Sequence, residues 1–384
     1  MRPSRSDVRA PPPPRIIYVA SDDWYFLSHC LTMARAARAA GFEVHVAANV
    51  GEEAASIRAE DFVVHAIRFR RGKPAPFRML HSILALRRVY RAVAPAIVHH
   101  VTLRSTLLGI VASSGFNFAT IHAIGGLAGR FIGPRRNRPL LRRGSRLVLR
   151  RGLNSRRAIG LVQSPEDRDV LTMLGVAPER IALIPGSGVD SDRFRPVPEP
   201  DGPATVAFAG RMVADKGVRT LVRAHRILQD SGIRSQLVLA GTPDPEDSTS
   251  IPQIEVAGWG SEPGITWLGH VPDIAAVWRH AHIAVLPARN SEGIPNSLLE
   301  AAAFGRPLIA TDVPGCRDVV IHEKTGLLVP VDDPGALAAA ILRLVRSPRQ
   351  RVRFGVAARR LVDERFAADL VGPATVALYR SLLA

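Results

Sequence analysis

The sequence predicts an α/β protein of two parallel-sheet domains facing a central cleft. Three observations carry that expectation. The 384 residues exceed what one ordinary core holds, so two domains are the default. Short β-rich apolar runs alternate with helical patterns, the rhythm of a parallel sheet with helices on its faces. Residues 195–203 contain four prolines in nine positions and divide the series into two halves.

Residues 1–14 are polar and proline-rich and read as a loose tail without a secretory pattern. The first domain is expected over 15–194. Ile16 to Ala20 is an apolar strand, followed by a helical pattern from Phe26 to Ala40 that Gly41 stops; Glu43 to Ala48 is the next strand. The rhythm continues with a helix from Phe77 to Val93, a strand from Ile97 to Val101, a helix from Thr106 and a strand from Phe118 to His122. A basic helical segment from Leu140 to Leu153 and a strand from Ile159 to Val162 follow. Ser164-Pro165-Glu166-Asp167 is a helix start, with a capping serine, a proline in the first turn and an acid three residues on. Ile181 to Ile184 is the last strand of this half.

After the 195–203 linker, the second domain is expected over 204–365. Its strands are Thr205 to Ala209, Leu237 to Ala240, Ile265 to Leu268, Ile283 to Leu286, Leu308 to Thr311 and Leu327 to Val329. Helices are read at Val218 to Leu228, Gly335 to Val345 and from Arg351 onward, the last, 366–384, returning to the first domain. Ligands of open α/β sheets bind outside the strand C-terminal ends, which places a cleft between the halves.

Hydrophobic content of 47% and charged content of 22% describe a globular chain. Cys30 and Cys316 are too few for a disulfide framework and lack a CxxC partner, so a reducing cytosol is the simple reading. Ser105 to Gly129 has no charged residue and is long enough to span a bilayer. Its five glycines and its polar residues make it a short helix, a buried strand and a Gly-rich loop instead. The net charge is +17, almost all of it arginine: lysine occurs only at 73, 216 and 324. Arg130 to Arg157 holds eleven arginines and no acid. Such a block meets nucleic acid, an anionic bilayer or a lipid-linked phosphate, or is a solvated face.

Two stretches carry chemistry. In the first, Gly210-Arg211-Met212-Val213-Ala214-Asp215-Lys216-Gly217 follows a strand and leads into a helix. Arginine supplies a fixed fork and lysine a mobile point charge, a pair suited to a diphosphate, although an ordinary basic surface loop reads the same way. In the second, Glu292 and Glu300 have seven residues between them. Gly293 and Pro295 place the first acid on a tight loop, and the apolar run from Leu298 to Phe304 places the second in the first turns of a helix. A helix N-terminus carries free N–H groups and a partial positive charge, which favour an anion. Acids on either side of it suit a ligand with a phosphate and several hydroxyls, such as a nucleotide-sugar.

These stretches, with Ala303-Phe304-Gly305-Arg306-Pro307 and Pro314-Gly315-Cys316, resemble the retaining glycosyltransferase family 4 of the GT-B fold, two Rossmann-like domains facing a cleft. Ile184-Pro185-Gly186-Ser187-Gly188-Val189-Asp190 with Phe194 is similar to that family's segment before the interdomain linker. In the first domain, Asp23-Trp24-Tyr25-Phe26-Leu27-Ser28-His29 resembles a subgroup that builds bacterial capsule, O-antigen or exopolysaccharide units. Cys30, where the subgroup usually has arginine, and Leu127-Ala128-Gly129-Arg130 depart from its pattern.

The resemblance implies roles. Arg211 and Lys216 hold and neutralise the donor diphosphate, and Glu292 binds hydroxyls of the transferred sugar; these are the catalytic set. Gly210 and the backbone at Gly293, Ile294, Pro295 and Asn296 face the donor, Glu300 takes the ribose hydroxyls and Val271 lies beside the base. Asp23, His29 and His122 fall on the acceptor or donor-sugar side, although Asp22 and Asp23 also read as helix N-terminal charges. The donor is expected to be a UDP-sugar carrying a hexose or N-acetylhexosamine, and the acceptor a polyprenyl-diphosphate-linked saccharide. No cofactor or metal is expected: Asp190-Ser191-Asp192 matches a D-x-D metal pattern but sits in a turn before the linker. An anionic membrane met through Arg130 to Arg157 implies a cytoplasmic protein peripheral on the inner face of the membrane. A GT-B-like sugar-nucleotide epimerase lacks an acid/base set here. Nucleic-acid binding lacks aromatic platforms, with aromatics at 5%. A non-catalytic nucleotide-sugar-binding subunit is the remaining alternative.

Overall fold

The structure, a computed structural model, describes residues 12–69, 76–127, 139–290 and 293–384, with side chains at 76 and 139–143 left aside. Most of the 1–14 tail and part of the Arg130 to Arg157 block lie outside the described residues, as does Glu292. Among the described residues the first sheet has seven strands: β1 (Arg15–Asp22), β2 (Glu43–Asn49), β3 (Val63–Ala66), β4 (Ile97–Val101), β5 (Ala119–Ala123), β6 (Ala158–Val162) and β7 (Ile181–Leu183). Their order is β3-β2-β1-β4-β5-β6-β7, every pair parallel. The second sheet has six: β8 (Ala204–Ala209), β9 (Ser235–Ala240), β10 (Ile265–Gly269), β11 (Ile283–Leu286), β12 (Leu308–Thr311) and β13 (Gly326–Val329). It is also all parallel, in the order β10-β9-β8-β11-β12-β13. The strand order reverses between β1 and β4 and between β8 and β11, and such reversals open crevices at the strand C-terminal ends.

The sequence dictates this layering. A parallel sheet is covered on both faces, so its central strands are apolar without alternation. In β1, Ile16 and Tyr18 join the core under the Asp23–Ala39 helix, while Ile17 and Val19 join the core under the Pro76–Val93 helix. Helix starts obey local chemistry: Ser164 Oγ accepts from the Asp167 N–H at 3.2 Å, and Pro165 takes the first helical position. The helix expected from Thr106 begins earlier, at Leu103, because Thr102 caps it. The helices Ala54–Ala59, Gln253–Gly260 and Ile274–Arg279 and the four-residue β3 are too short to show a period, and sequence reading passed over them.

The linker is held firmly. Arg306, almost fully buried, donates to the carbonyls of Pro198, Trp278 and Arg279, and Arg351 forms a two-pronged pair with Glu199. The chain crosses between domains a second time at Val189 and Ala367, which pair as a bridge: Val189 N–H donates to Phe366 and Ala368 N–H to Val189, both at 2.8 Å. The final helix, Ala368–Leu383, then packs on Asp23–Ala39. Its Tyr379 hydroxyl meets Tyr18 Oη at 2.7 Å and His99 Nδ1 at 2.8 Å, all three groups buried. Tyr379→Phe removes the shared partner of two buried polar groups. It is expected to cost about 2 kcal/mol in urea unfolding, against less than about 0.5 kcal/mol for an exposed Ser381→Ala control.

No helix among the described residues is long and apolar enough to cross a membrane.

Candidate functional site

The second sheet's switch point is assembled by close backbone packing. The loop after β8 runs from Gly210 into a short turn, Ala214–Lys216, ahead of helix Val218–Asp230. Gly217 has φ +71°, and a Cβ there would lie 1.8 Å from the Pro287 carbonyl oxygen just after β11. Only glycine fits, so the two loops are pressed together and Lys216 is fixed at the crevice. The Arg289 N–H donates to Asp215 O and the Ala214 N–H to Thr249 O, each at 2.8 Å, pinning the turn from both sides.

Arg211 is held by carboxylates. Its Nη1 lies 2.7 Å from Asp244 Oδ2 and 3.0 Å from Asp247 Oδ2. Both acids come from the loop after β9 and leave the guanidinium half-buried at the crevice. Across the cleft, the guanidinium stands 5.9 Å from the Trp24 ring centroid of the first domain, within cation–π range. Sequence reasoning missed Asp244 and Asp247. Their meeting follows from the strand order: the acidic loop after β9 lies beside the basic loop after its neighbour β8.

His29 stacks on Tyr25, rings parallel at 4.0 Å, and its Nδ1 lies 2.6 Å from Ser28 Oγ. Loss of water pushes its pKa down to about 4, and the field of Lys216 and then of Arg211 adds to the shift. The ring is therefore neutral at pH 7, and the structure brings His29, Arg211 and Lys216 into one electrostatic neighbourhood.

The loop Gly293 to Asn296 contacts the first domain at both ends. The Ile294 N–H donates to Gln163 Oε1 at 3.2 Å, and the Asn296 amide donates to the Ser28 carbonyl. Gly125 and Gly293 meet backbone to backbone: a Cβ on Gly125 would lie 3.2 Å from Gly293 Cα. Pro295 heads the Asn296–Ala303 helix without a side-chain cap. Gln163 and Ser28 carried no sequence signal for this contact. In the same helix, Glu300 is part-buried and accepts from Trp278 Nε1 at 3.3 Å. Burial pushes its pKa up to about 7, against that hydrogen bond and the field of Arg193. Val271 and Gly210 stand at the C-terminal ends of β10 and β8, on the same edge.

Two expected residues are buried in the first domain. Asp23 is 4% exposed, and its carboxylate accepts the Trp24 N–H at 2.8 Å and the Gly51 N–H at 2.5 Å. It ties the start of its helix to the loop after β2. His122 is buried as well. It is 1% exposed and stacks flat on His100, ring centroids 4.9 Å apart, with its pKa pushed down to about 3 by burial. Strand alternation turns it inward, two residues too early to join the Gly125–Gly126 loop. The carboxylate of Asp167 holds that loop, accepting the N–H groups of Gly126 at 3.0 Å and Leu127 at 2.7 Å. Asp190 caps its own turn through the Asp192 and Arg193 N–H groups, and Asp192 pairs with Arg195 at 2.8 Å.

The family described as "Glycosyl transferases group 1" matches residues 203–347, and the one described as "Glycosyl transferase 4-like" matches residues 15–159. The alpha-maltose-1-phosphate synthase of Mycolicibacterium smegmatis is 30% identical over 358 residues, covering 84% of this chain and 88% of that protein. The capsular polysaccharide biosynthesis glycosyltransferase CapM of Staphylococcus aureus is 27% identical over 178 residues, and the chain spans about half of that relative's length, 46%. Anabaena HepE, solved in complex with UDP-glucose, superposes with a TM-score of 0.77 at 15% identity over 96% of this chain and 99% of that one, a likeness of fold. With both halves matched and one relative aligned over most of its length, the chain belongs to the group 1, family 4-like glycosyltransferases of the GT-B fold.

Proposed function

We propose that the protein is a retaining glycosyltransferase that moves a hexose or N-acetylhexosamine from a UDP-sugar to a polyprenyl-diphosphate-linked saccharide in cell-surface polysaccharide synthesis. The observation that carries this reading is the Arg211 cluster after β8, at the β8–β11 switch point, which together with Lys216 acts on His29, while Asn296 of the following loop binds the neighbouring Ser28 carbonyl. The capsular naming of CapM supports the polysaccharide role, and the UDP-glucose bound to HepE supports the donor class.

In the proposed reaction the bond between the sugar C1 and the donor phosphate oxygen breaks. The acceptor hydroxyl oxygen bonds to C1 on the same face, and its proton passes to the departing phosphate oxygen. Negative charge grows on the diphosphate, where Arg211, Lys216 and the uncapped N–H groups of the Asn296–Ala303 helix stabilise it without reorganisation. With these donors in place no metal is needed, and turnover continues in a chelator. Glu292 holds hydroxyls of the transferred sugar, Glu300 those of the ribose, and Val271 lies beside the base. Neutral His29 stands on the first-domain side of the reacting groups. The protein works in the cytoplasm, against the inner face of the membrane, through its basic block.

Thermal-shift measurement with UDP, GDP and ADP tests the donor site. UDP should raise Tm by a few degrees, about 1–3 kcal/mol of linkage at saturating ligand, and Lys216→Ala should abolish the shift. Indifference to all three nucleotides would overturn the reading.

A further inference from the structure

The net positive charge of this chain is confined to one region. From Phe62 to Pro165 there are 104 residues with nineteen arginines, one lysine and no aspartate or glutamate. Since the whole chain carries +17, everything outside that stretch is slightly acidic. The stretch supplies the helices Pro76–Val93, Leu103–Ser113 and Pro139–Leu153, which pack side by side with Leu103–Ser113 in the middle. The first of them is apolar twice over. Leu86, Tyr90 and Val93 bury one face in the core. Phe77, Leu80 and Leu84, spaced i, i+3, i+7, form a second stripe that points to water, 86%, 53% and 45% exposed. On the third helix Leu147 is 53% exposed. Arg78, Arg88 and Arg146 lie at exposed positions among them.

A charged face without acids attracts polyanions, and an exposed apolar stripe marks an interaction surface. Nucleic acid satisfies only the charge, because Leu80 and Leu84 have no role against phosphates. A bilayer with anionic headgroups satisfies both. We propose that this three-helix layer docks on an anionic phospholipid bilayer, with the first turns of Pro76–Val93 entering the headgroup region and the arginines resting on lipid phosphates. This rests on the membrane reading of the basic block and adds an apolar anchor outside that block. It sets the mouth of the first domain at the membrane surface, where a lipid-linked acceptor resides.

The test is sedimentation of the full chain with vesicles of phosphatidylglycerol and phosphatidylcholine, and with phosphatidylcholine alone, at low salt and at about 0.5 M salt, where charges are screened. Wild type should bind the mixed vesicles at low salt and keep part of that binding at high salt. Phe77→Ser/Leu80→Ser should keep the low-salt binding and lose about tenfold in partition at high salt. Its Tm should be unchanged, because both side chains already face water. If wild type ignores anionic vesicles at low salt, both the anchor and the membrane reading fall. If the double variant matches wild type at both salts, the anchor falls and the electrostatic reading stands. If wild type binds duplex RNA but partitions no more onto the mixed vesicles than onto phosphatidylcholine alone, the surface serves nucleic acid and the proposal is overturned.

Discussion

Arg211→Ala is expected to lower kcat/KM about a thousandfold, some 4 kcal/mol of transition-state stabilisation. Loss of one preorganised donor to a developing anion typically accounts for a hundredfold or more. The remainder comes from Asp244 and Asp247. With Arg211 present they orient its guanidinium at 2.7 and 3.0 Å. In the proposed site, without it they would face the donor diphosphate as two uncompensated carboxylates and repel it. Arg211→Lys should recover only part of the activity, since one ammonium cannot hold two carboxylates and a diphosphate in a fixed plane. Adding Asp244→Asn to Arg211→Ala should regain about tenfold by removing part of the repulsion. Steady-state kinetics with varied donor checks all three variants. A loss of less than about threefold in Arg211→Ala would remove this residue from the donor site.

Glu300→Gln should make the ligand-free protein more stable and the nucleotide complex weaker. Burial raises the Glu300 pKa from 4.5 to about 7. Between those values the folded chain holds a proton that the unfolded chain has released, so stability falls as pH rises through that window. Below it the carboxyl is neutral in both states. Above it the charged, part-buried carboxylate costs at most about 3 kcal/mol. The amide introduced by Glu300→Gln would keep an oxygen for Trp278 Nε1 and carry no charge. The variant's Tm advantage should therefore be small at pH 4 and full at pH 8. UDP affinity should drop about tenfold, because a neutral amide cannot accept two ribose hydroxyls as a carboxylate does. Scanning calorimetry at the two pH values with UDP titration decides it. An advantage independent of pH, or unchanged UDP affinity, would contradict the role.

Much of the fold was legible because local signals agree with it. Ser164 with Pro165 marks a helix start, Gly41 a stop, and fully apolar β1 a strand covered on both faces. The basic loop at Arg211 and the helix bearing Glu300 were legible for the same reason, since each is set by glycines and an apolar run close by in sequence. What escaped reading depends on distance along the chain. Asp244 and Asp247 reach Arg211 from 33 and 36 residues away, and Gln163 reaches Ile294 from 131. No local pattern encodes those meetings; the strand order does. The burial of Asp23 and His122 escaped reading for a different reason. Sequence placed them at the right strand ends, but an aspartate beside free N–H groups turns to accept them, as Asp23 does from Trp24 and Gly51, and a histidine one position inside a strand end takes whichever face the pleat assigns.

Helix Ala368–Leu383 also determines when the first domain can be completed. The strand β7 ends at Leu183, and the helix that covers Tyr18 and His99 is made about 180 residues later. At roughly 5–20 residues per second, the newly made first sheet waits ten seconds or more with one apolar flank uncovered. The second domain is then already synthesised, and its last helix, Pro348–Arg365, delivers the covering piece. The two halves thus mature together, the later one closing the earlier, and an early stop in translation damages the half that was made first.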